Sequence, residues 1–243
     1  MATMRDIKRR IKSVGSTQQI TKAMNLVSAS KLNRSKSKLE ATMPFFNETR
    51  RTISDIVRGS KGINHQYLEQ RKVKTTAILV MAGDRGLCGG YNSNVCKEAF
   101  ALATEKGDAK IISIGTKVRD YFRRRRKDIV KEYEGISEKP FYEDAEEIGE
   151  YILEEYVNHN FDEVYLVYTE FKSILSHKPK VIKLLPVDAS EFEEENSSKN
   201  KMNYEPNEEQ VLDYVIPKYI DTILYGALVE AAEIGRASCR ERV

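Results

Sequence analysis

Apolar positions in the first sixty residues follow a helical period. Ile7, Ile11 and Val14, then Ile20, Met24 and Val27, each step by four and then three, the spacing of a coiled-coil seam. Between the two sets lie Gly15 and the polar Ser16, Thr17, Gln18 and Gln19, so the seam is interrupted. Thr3 with Asp6 three residues on has the form of a capping box at the helix start. Leu32 and Leu39 continue the pattern to Pro44, which is expected to kink or break the helix. "FNETRRTISDIVRGS" resumes it until Gly59-Ser60-Lys61-Gly62. A helix over 3–59 would be about 85 Å long at 1.5 Å per residue, longer than a domain of this size is wide, and would have to project.

The period changes at about residue 73. Strands are predicted at Thr75–Met81, Lys110–Ile114, Val130–Tyr133, Glu163–Thr169 and Val181–Leu185, with helices at about 92–106, 116–126 and 143–158 between them. This alternation implies a mainly parallel sheet with helices against it. "AILVMA" and "EVYLVY" are near-continuous apolar runs, as strands covered on both faces are. The chain thus divides into a helix over 1–60, an α/β unit over 73–187, an acidic loop over 188–207 and a second amphipathic helix from 208. That second helix has Leu212, Val215, Tyr219, Ile223, Ala227 and Ala231 on one stripe, and Pro217 counts against its continuity. Neither terminal helix can bury its stripe alone. An antiparallel pair can.

Composition narrows the function classes. Of 243 residues 32% are charged and none is Trp, and no apolar run approaches the roughly 20 residues of a membrane span. The N-terminus lacks the apolar core of a secretory signal. Cys88, Cys96 and Cys239 form no disulfide framework, and His65, His159 and His177 have no metal-ligand spacing, so neither metal nor cofactor is expected. The net charge of +3 conceals an asymmetry. Residues 1–40 hold ten basic side chains against two acidic ones, whereas 188–209 hold eight carboxylates against two lysines. A bare solvated face does not account for the excess on the first helix, which points to an electrostatically chosen partner.

The stretch "VMAGDRGLCGGYNSNV" sets a glycine-rich turn between a strand and a helix, where phosphate-binding loops occur. Gly83, Gly86, Gly89 and Gly90 give G-x-x-G-x-x-G-G, without the Lys and hydroxyl of a P-loop or the G-x-G-x-x-G of a dinucleotide site. The leading reading is a structural turn, fixed by an ion pair of Asp84 with Arg85; a partner-contact surface comes next and a nucleotide site last. Cys88 has no histidine within sixty residues after it and reads as a small buried side chain. The Arg123–Arg126 run with Lys127 reads as a solvated helix end.

Three segments carry a resemblance. "MRDIKRRIKSVGSTQQITKAMNLVSASKL" resembles the N-terminal helix of the gamma subunit of bacterial F-type rotary ATP synthases, "GDRGLCGGYNSNV" is similar to that family's signature after the first strand, and "YEPNEEQVLDYVIPKYIDTILYGALVE" to the start of its C-terminal helix. The likeness runs over nearly all of residues 1–232, in the family's order. It implies an antiparallel coiled coil of terminal helices, standing in a ring of alpha and beta subunits, plus a Rossmann-like α/β foot that contacts the epsilon subunit and the membrane c-ring. It also implies a central rotor stalk that couples proton flow to ATP synthesis or hydrolysis and carries no catalytic residue of its own. Its place would be peripheral, on the cytoplasmic face of the cell membrane, with membrane association only through the complex. By motif, Lys8, Arg9, Thr21, Lys22, Met24, Lys31 and Arg34 are the expected contacts with the ring, and Asp84, Arg85, Gly86, Gly89 and Gly90 the structural loop. A Lys in place of Met24 would add a charge opposite an acidic beta-subunit loop.

The likeness ends near Glu233, where family members continue the helix for several tens of residues. Residues 234–243, "IGRASCRERV", match what a common sequencing adapter encodes in one frame, and are expected not to be native, so that the chain is truncated. The seam at Ile7–Val27 would then lack much of its partner. Two rivals predict other behaviour: a basic coiled coil binding nucleic acid through 1–40, which leaves the glycine loop unexplained, and a small α/β enzyme binding a nucleotide at that loop.

Overall fold

A computed structural model describes the backbone of residues 3–59, 65–86, 88–107, 109–137, 139–173, 176–188, 205 and 207–242; within these, the side chains of 24–25, 28–29, 31–36, 38–39, 42, 57–59, 171–173, 176–177 and 235–242 are not described. The acidic stretch therefore lies almost wholly outside the described residues.

Helix α1 spans Met4–Gly59. Its start is the expected capping box: Thr3 N–H donates to Asp6 Oδ2 (3.0 Å) and Asp6 N–H to Thr3 Oγ1 (3.3 Å). Through the polar interruption the helix persists, with Thr17 and Thr21 hydroxyls donating back to the carbonyls of Ser13 and Thr17. Contrary to expectation, Pro44 does not end it. A proline removes one rung of the ladder, and the next turns add bonds from the Thr49 and Thr52 hydroxyls to the carbonyls of Phe45 and Glu48.

The α/β unit follows as β1 (Thr76–Met81), α2 (Tyr91–Glu105), β2 (Ala109–Ile114), α3 (Thr116–Arg124), β3 (Ile129–Tyr133), α4 (Tyr142–Val157), β4 (Glu163–Ser173) and β5 (Ser176–Leu185). The strand order is β3-β2-β1-β4-β5, parallel except for the antiparallel β4–β5 hairpin. That hairpin runs several residues beyond the predicted strands. It passes through Lys178, Pro179 and Lys180, which it can do because β5 is an edge strand, where a proline breaks no ladder on its open side.

All six residues of β1 are buried, because helices cover both faces. Ala77, Leu79 and Met81 face a core shared with α1, α4 and the last helix, while Ile78 and Val80 face α2 and α3. At the base of the sheet Asp162 accepts the N–H groups of Lys74 and Thr75 (2.8 and 2.9 Å), tying the entry of β1 to that of β4. Burial opposes the charge on that carboxyl, but these bonds win and hold its pKa below the usual range.

Helix α5 spans Glu208–Arg242 and continues through Pro217. It packs on α1, α4 and β4 together, so its buried positions wrap beyond the single expected stripe. Leu212, Tyr219, Ala227 and Ala231 are buried as expected, Val215 and Ile223 only partly, and Ile216, Ile220, Leu224 and Leu228 join the core.

Candidate functional site: the shaft and its joint with the α/β domain

The two terminal helices run antiparallel over a short length. Phe46 of α1 stacks on Tyr219 of α5 (ring centroids 5.6 Å apart), and past the end of α1 His65 reaches Asp213, nearer the start of α5 (3.1 Å). His65 Nδ1 accepts the N–H of Tyr67, so its Nε2 carries the proton and donates to Asp213. Thr49, Ile53, Ser54 and Ile56 complete the covered end of α1.

Farther toward the N-terminus none of the described residues covers the apolar positions of α1. Ile7, Ile11, Val14, Ile20 and Val27 are all exposed, Ile11 and Val14 to 67%. Five apolar side chains repeating on one helix and bare to solvent mark a surface built for a partner. Lys8, Arg9 and Lys22 are exposed on this run, and Thr21 is half-buried with its hydroxyl spent on the helix backbone. Met24, Lys31 and Arg34 lie on the same helix, with side chains outside the described residues.

The glycine loop sits at the carboxyl end of β1, beside the switch in strand order between β1 and β4. That point is where open α/β sheets receive ligands. Here the chain's own α5 reaches it. Tyr91, the first residue of α2, donates its hydroxyl to the carbonyl of Ala231 (3.4 Å), and Ile234 is buried against Cys88 and Tyr91. Ile234, the first residue of the tail expected to be foreign, packs into the domain, and α5 runs on as helix to Arg242.

The loop is held otherwise than by the expected Asp84–Arg85 pair. Among the described residues the Asp84 carboxylate takes bonds from the Thr116 N–H and hydroxyl (both 3.0 Å) and from the Ser137 hydroxyl, joining three loops at the top of the sheet. Burial alone would raise its pKa; hydrogen bonds from Ser137, Thr116 and Gly135 hold it below the usual carboxylate range. Gly83 donates its N–H to Asn92 Oδ1 (2.9 Å), and Asn92 Nδ2 donates to the Arg85 carbonyl (3.0 Å), so the loop is sewn to the first turn of α2. Of the four glycines only Gly89 has a left-handed φ, +58°; Gly83 and Gly90 serve by lacking a side chain, since a Cβ would press on Asn92 and Asn94, whereas Gly86 has ordinary room for one. Cys88 is buried and donates to the Gly86 carbonyl, and burial pushes the Cys96 thiol up to about 12.

A second joint was not foreseen. Asp221 of α5 is buried against Gly149 of α4, where a Cβ would collide with its carboxylate. Lys218 bridges Glu146 (2.7 Å) and Asp221 (3.4 Å). Burial pushes the Asp221 carboxyl up to about 6, a rise that Lys218 offsets only in part and that Glu146 and Glu150 reinforce. The signal was present in "YIDTILYGALV", one carboxylate inside an apolar run, and in the small Gly149 of a helix otherwise rich in large residues. Tyr91 likewise follows Gly-Gly directly, an aromatic at the entrance of a helix.

The comparisons with known proteins agree with this anatomy. The family model described as ATP synthase matches residues 3–236. The ATP synthase gamma chain of Alkaliphilus metalliredigens is 50% identical over 241 residues, covering 98% of this chain and 83% of that protein. The protein named ATP synthase gamma chain, sodium ion specific, of Acetobacterium woodii is 39% identical, over 94% of this chain and 82% of its own length. A solved structure of the central stalk and c-ring of the Tetrahymena thermophila mitochondrial ATP synthase superposes with a TM-score of 0.70 at 24% identity, covering 91% of this chain and 96% of that one, which shows the shared fold. On the length and identity of these matches, the chain belongs to the gamma-chain family of F-type ATP synthases.

Proposed function

We propose that this chain is the central rotor stalk of its ATP synthase, a non-catalytic subunit that passes rotation between a membrane c-ring and the alpha and beta subunits. The observation that carries the reading is the division of α1. One end is locked into the α/β domain, and the bare run from Ile7 to Val27 extends about 30 Å at 1.5 Å per residue with its described apolar and basic side chains outward. A helix with that exposure serves a surrounding partner, and the domain at its base serves the ring below.

Torque requires that domain and shaft move as one body. Two fastenings serve this: the loop contact of Tyr91 and Cys88 with Ala231 and Ile234, and the Asp221–Gly149 contact with its Lys218 bridge. The basic side chains Lys8, Arg9 and Lys22, with Lys31 and Arg34, give the shaft an attraction for acidic loops of the ring that is long-range and solvent-screened. Such contacts hold the shaft without trapping it in one orientation. The glycine loop acts as a joint, and ATP chemistry belongs to the ring. The working place is the cytoplasmic face of the membrane, reached through the complex and its epsilon subunit; no helix among the described residues is long and apolar enough to cross a bilayer.

The test is single-molecule rotation. A probe fixed at Glu105→Cys, on the exposed end of α2, should turn in one direction when ATP is supplied to the assembled complex. An assembled, ATP-hydrolysing complex whose probe stays still would refute the stalk role.

A further inference from the structure

The helix-end reading of the Arg123–Lys127 run explains only part of it. Arg123 is bound to Glu132 (2.8 Å), and Arg119 to Asp120 (3.0 Å) and Glu134. Asp128 is taken by Lys110 (2.7 Å). The nearby carboxylates are therefore engaged, and among the described residues none pairs with Lys117, Arg124, Arg125, Arg126 or Lys127. Lys117 also lies in the first turn of α3, the end where the helix dipole opposes a cation.

These cations are arranged. Lys117, Tyr121 and Arg124 follow one another at helical spacing on one face of α3, and with Arg125 they border a groove of about 180 Å³ against Ser93 and Cys96 of α2. The Arg125 guanidinium lies 3.5 Å from the centre of the Tyr121 ring and donates to the Tyr121 carbonyl (3.2 Å). Arg125 and Lys127 share the Phe100 ring, at 5.7 and 5.5 Å. Aromatic platforms hold Arg125 and Lys127 in place, so a ligand meeting Arg125 would have little of its side-chain motion left to freeze. The surface lies on the α2–α3 side of the sheet, opposite the core shared with α4 and α5, and stays open when the shaft is packed.

We propose that this groove is a docking surface for an acidic polypeptide segment of a neighbouring subunit, whose Asp or Glu side chains enter between Lys117, Arg124 and Arg125. A planar carboxylate matches the guanidinium fork. A recess of side-chain size suits a polypeptide better than a flat bilayer, and the rings beneath the cations are partly buried instead of standing out as membrane wedges. The neighbour is sought in the assembled synthase, so the inference rests on the chain's place in that complex.

The experiment places a photo-cross-linking residue at Lys97, exposed one turn along α2 from Ser93, in the purified complex, and maps adducts by mass spectrometry. A carboxylate-rich peptide of a neighbouring subunit is expected. Arg124→Glu with Arg125→Glu should lower the yield by about tenfold or more, with the complex still assembled and the melting curve of the chain unchanged, and reversal of the partner's carboxylates should restore it. An adduct on phospholipid, on a peptide without acidic residues, or no adduct at all overturns the proposal. Failure of the chain to co-purify with the complex would instead indict the stalk reading, which the same preparation reports separately.

Discussion

Helix α1 is two different objects on one continuous backbone. From Phe46 to Ile56 it contributes to the main core, with Ile53 and Ile56 at 0% exposure; from Ile7 to Val27 the same kind of seam stands in solvent. Local sequence does not distinguish them, since both show helical period and both alternate apolar with charged residues. The difference is the company each keeps: α5 lies over one, and none of the described residues lies over the other. A seam therefore states that something will cover it. Only the rest of the assembly says what.

The largest test of that contrast is a pair of substitutions. Ile53→Ala should cost about 2–5 kcal/mol of unfolding free energy in the isolated chain by denaturant titration. Ile11→Ala, at 67% exposure, should cost less than about 0.5 kcal/mol there and yet weaken assembly with the ring subunits. Equal losses in the isolated chain would erase the distinction between the two ends.

The covered end can be sharpened through pH. The Asp221 carboxyl is raised in the folded chain, so its contribution to stability is complete below the ordinary carboxylate range and is lost as pH rises through about 6. Wild type should lose about 1–2 kcal/mol between pH 4 and pH 7 relative to Asp221→Asn, whose stability lacks that component. Identical pH profiles would show that the α4–α5 joint does not depend on this carboxyl. Asp84 has the opposite sign, since its folded pKa is lowered; Asp84→Asn should remove stability that wild type holds above the ordinary carboxylate range and loses as pH falls through the folded pKa. Among the variants of the covered end the smallest expected effect is Tyr91→Phe, about 0.5–1.5 kcal/mol for the bond to Ala231, read by the same titration.

Much of this architecture was legible in residue order. The α/β alternation, the capping box at Thr3 and the helical seam at Ile7–Val27 follow from period and turn chemistry, and those are local quantities. What escaped was settled at a distance. Pro44 lost its veto because a long helix bonded on both sides tolerates one missing rung. β5 ran through Pro179 because its outer edge faces no neighbour. Asp84 chose Thr116 and Ser137, brought close by the sheet, over the arginine next to it in sequence. Asp221 and Gly149 make sense only as a pair, and they stand 72 residues apart in sequence.

The central claim is that the bare run of α1 is a shaft surface which the ring covers. Hydrogen exchange measured on the isolated chain and on the assembled complex tests it most directly. The account predicts that amides from Ile7 to Val27 exchange quickly in the chain alone and slow by about a hundredfold or more in the complex, while those from Thr49 to Ile56 are protected in both. Unchanged fast exchange at Ile7–Val27 in a complex that hydrolyses ATP would contradict it.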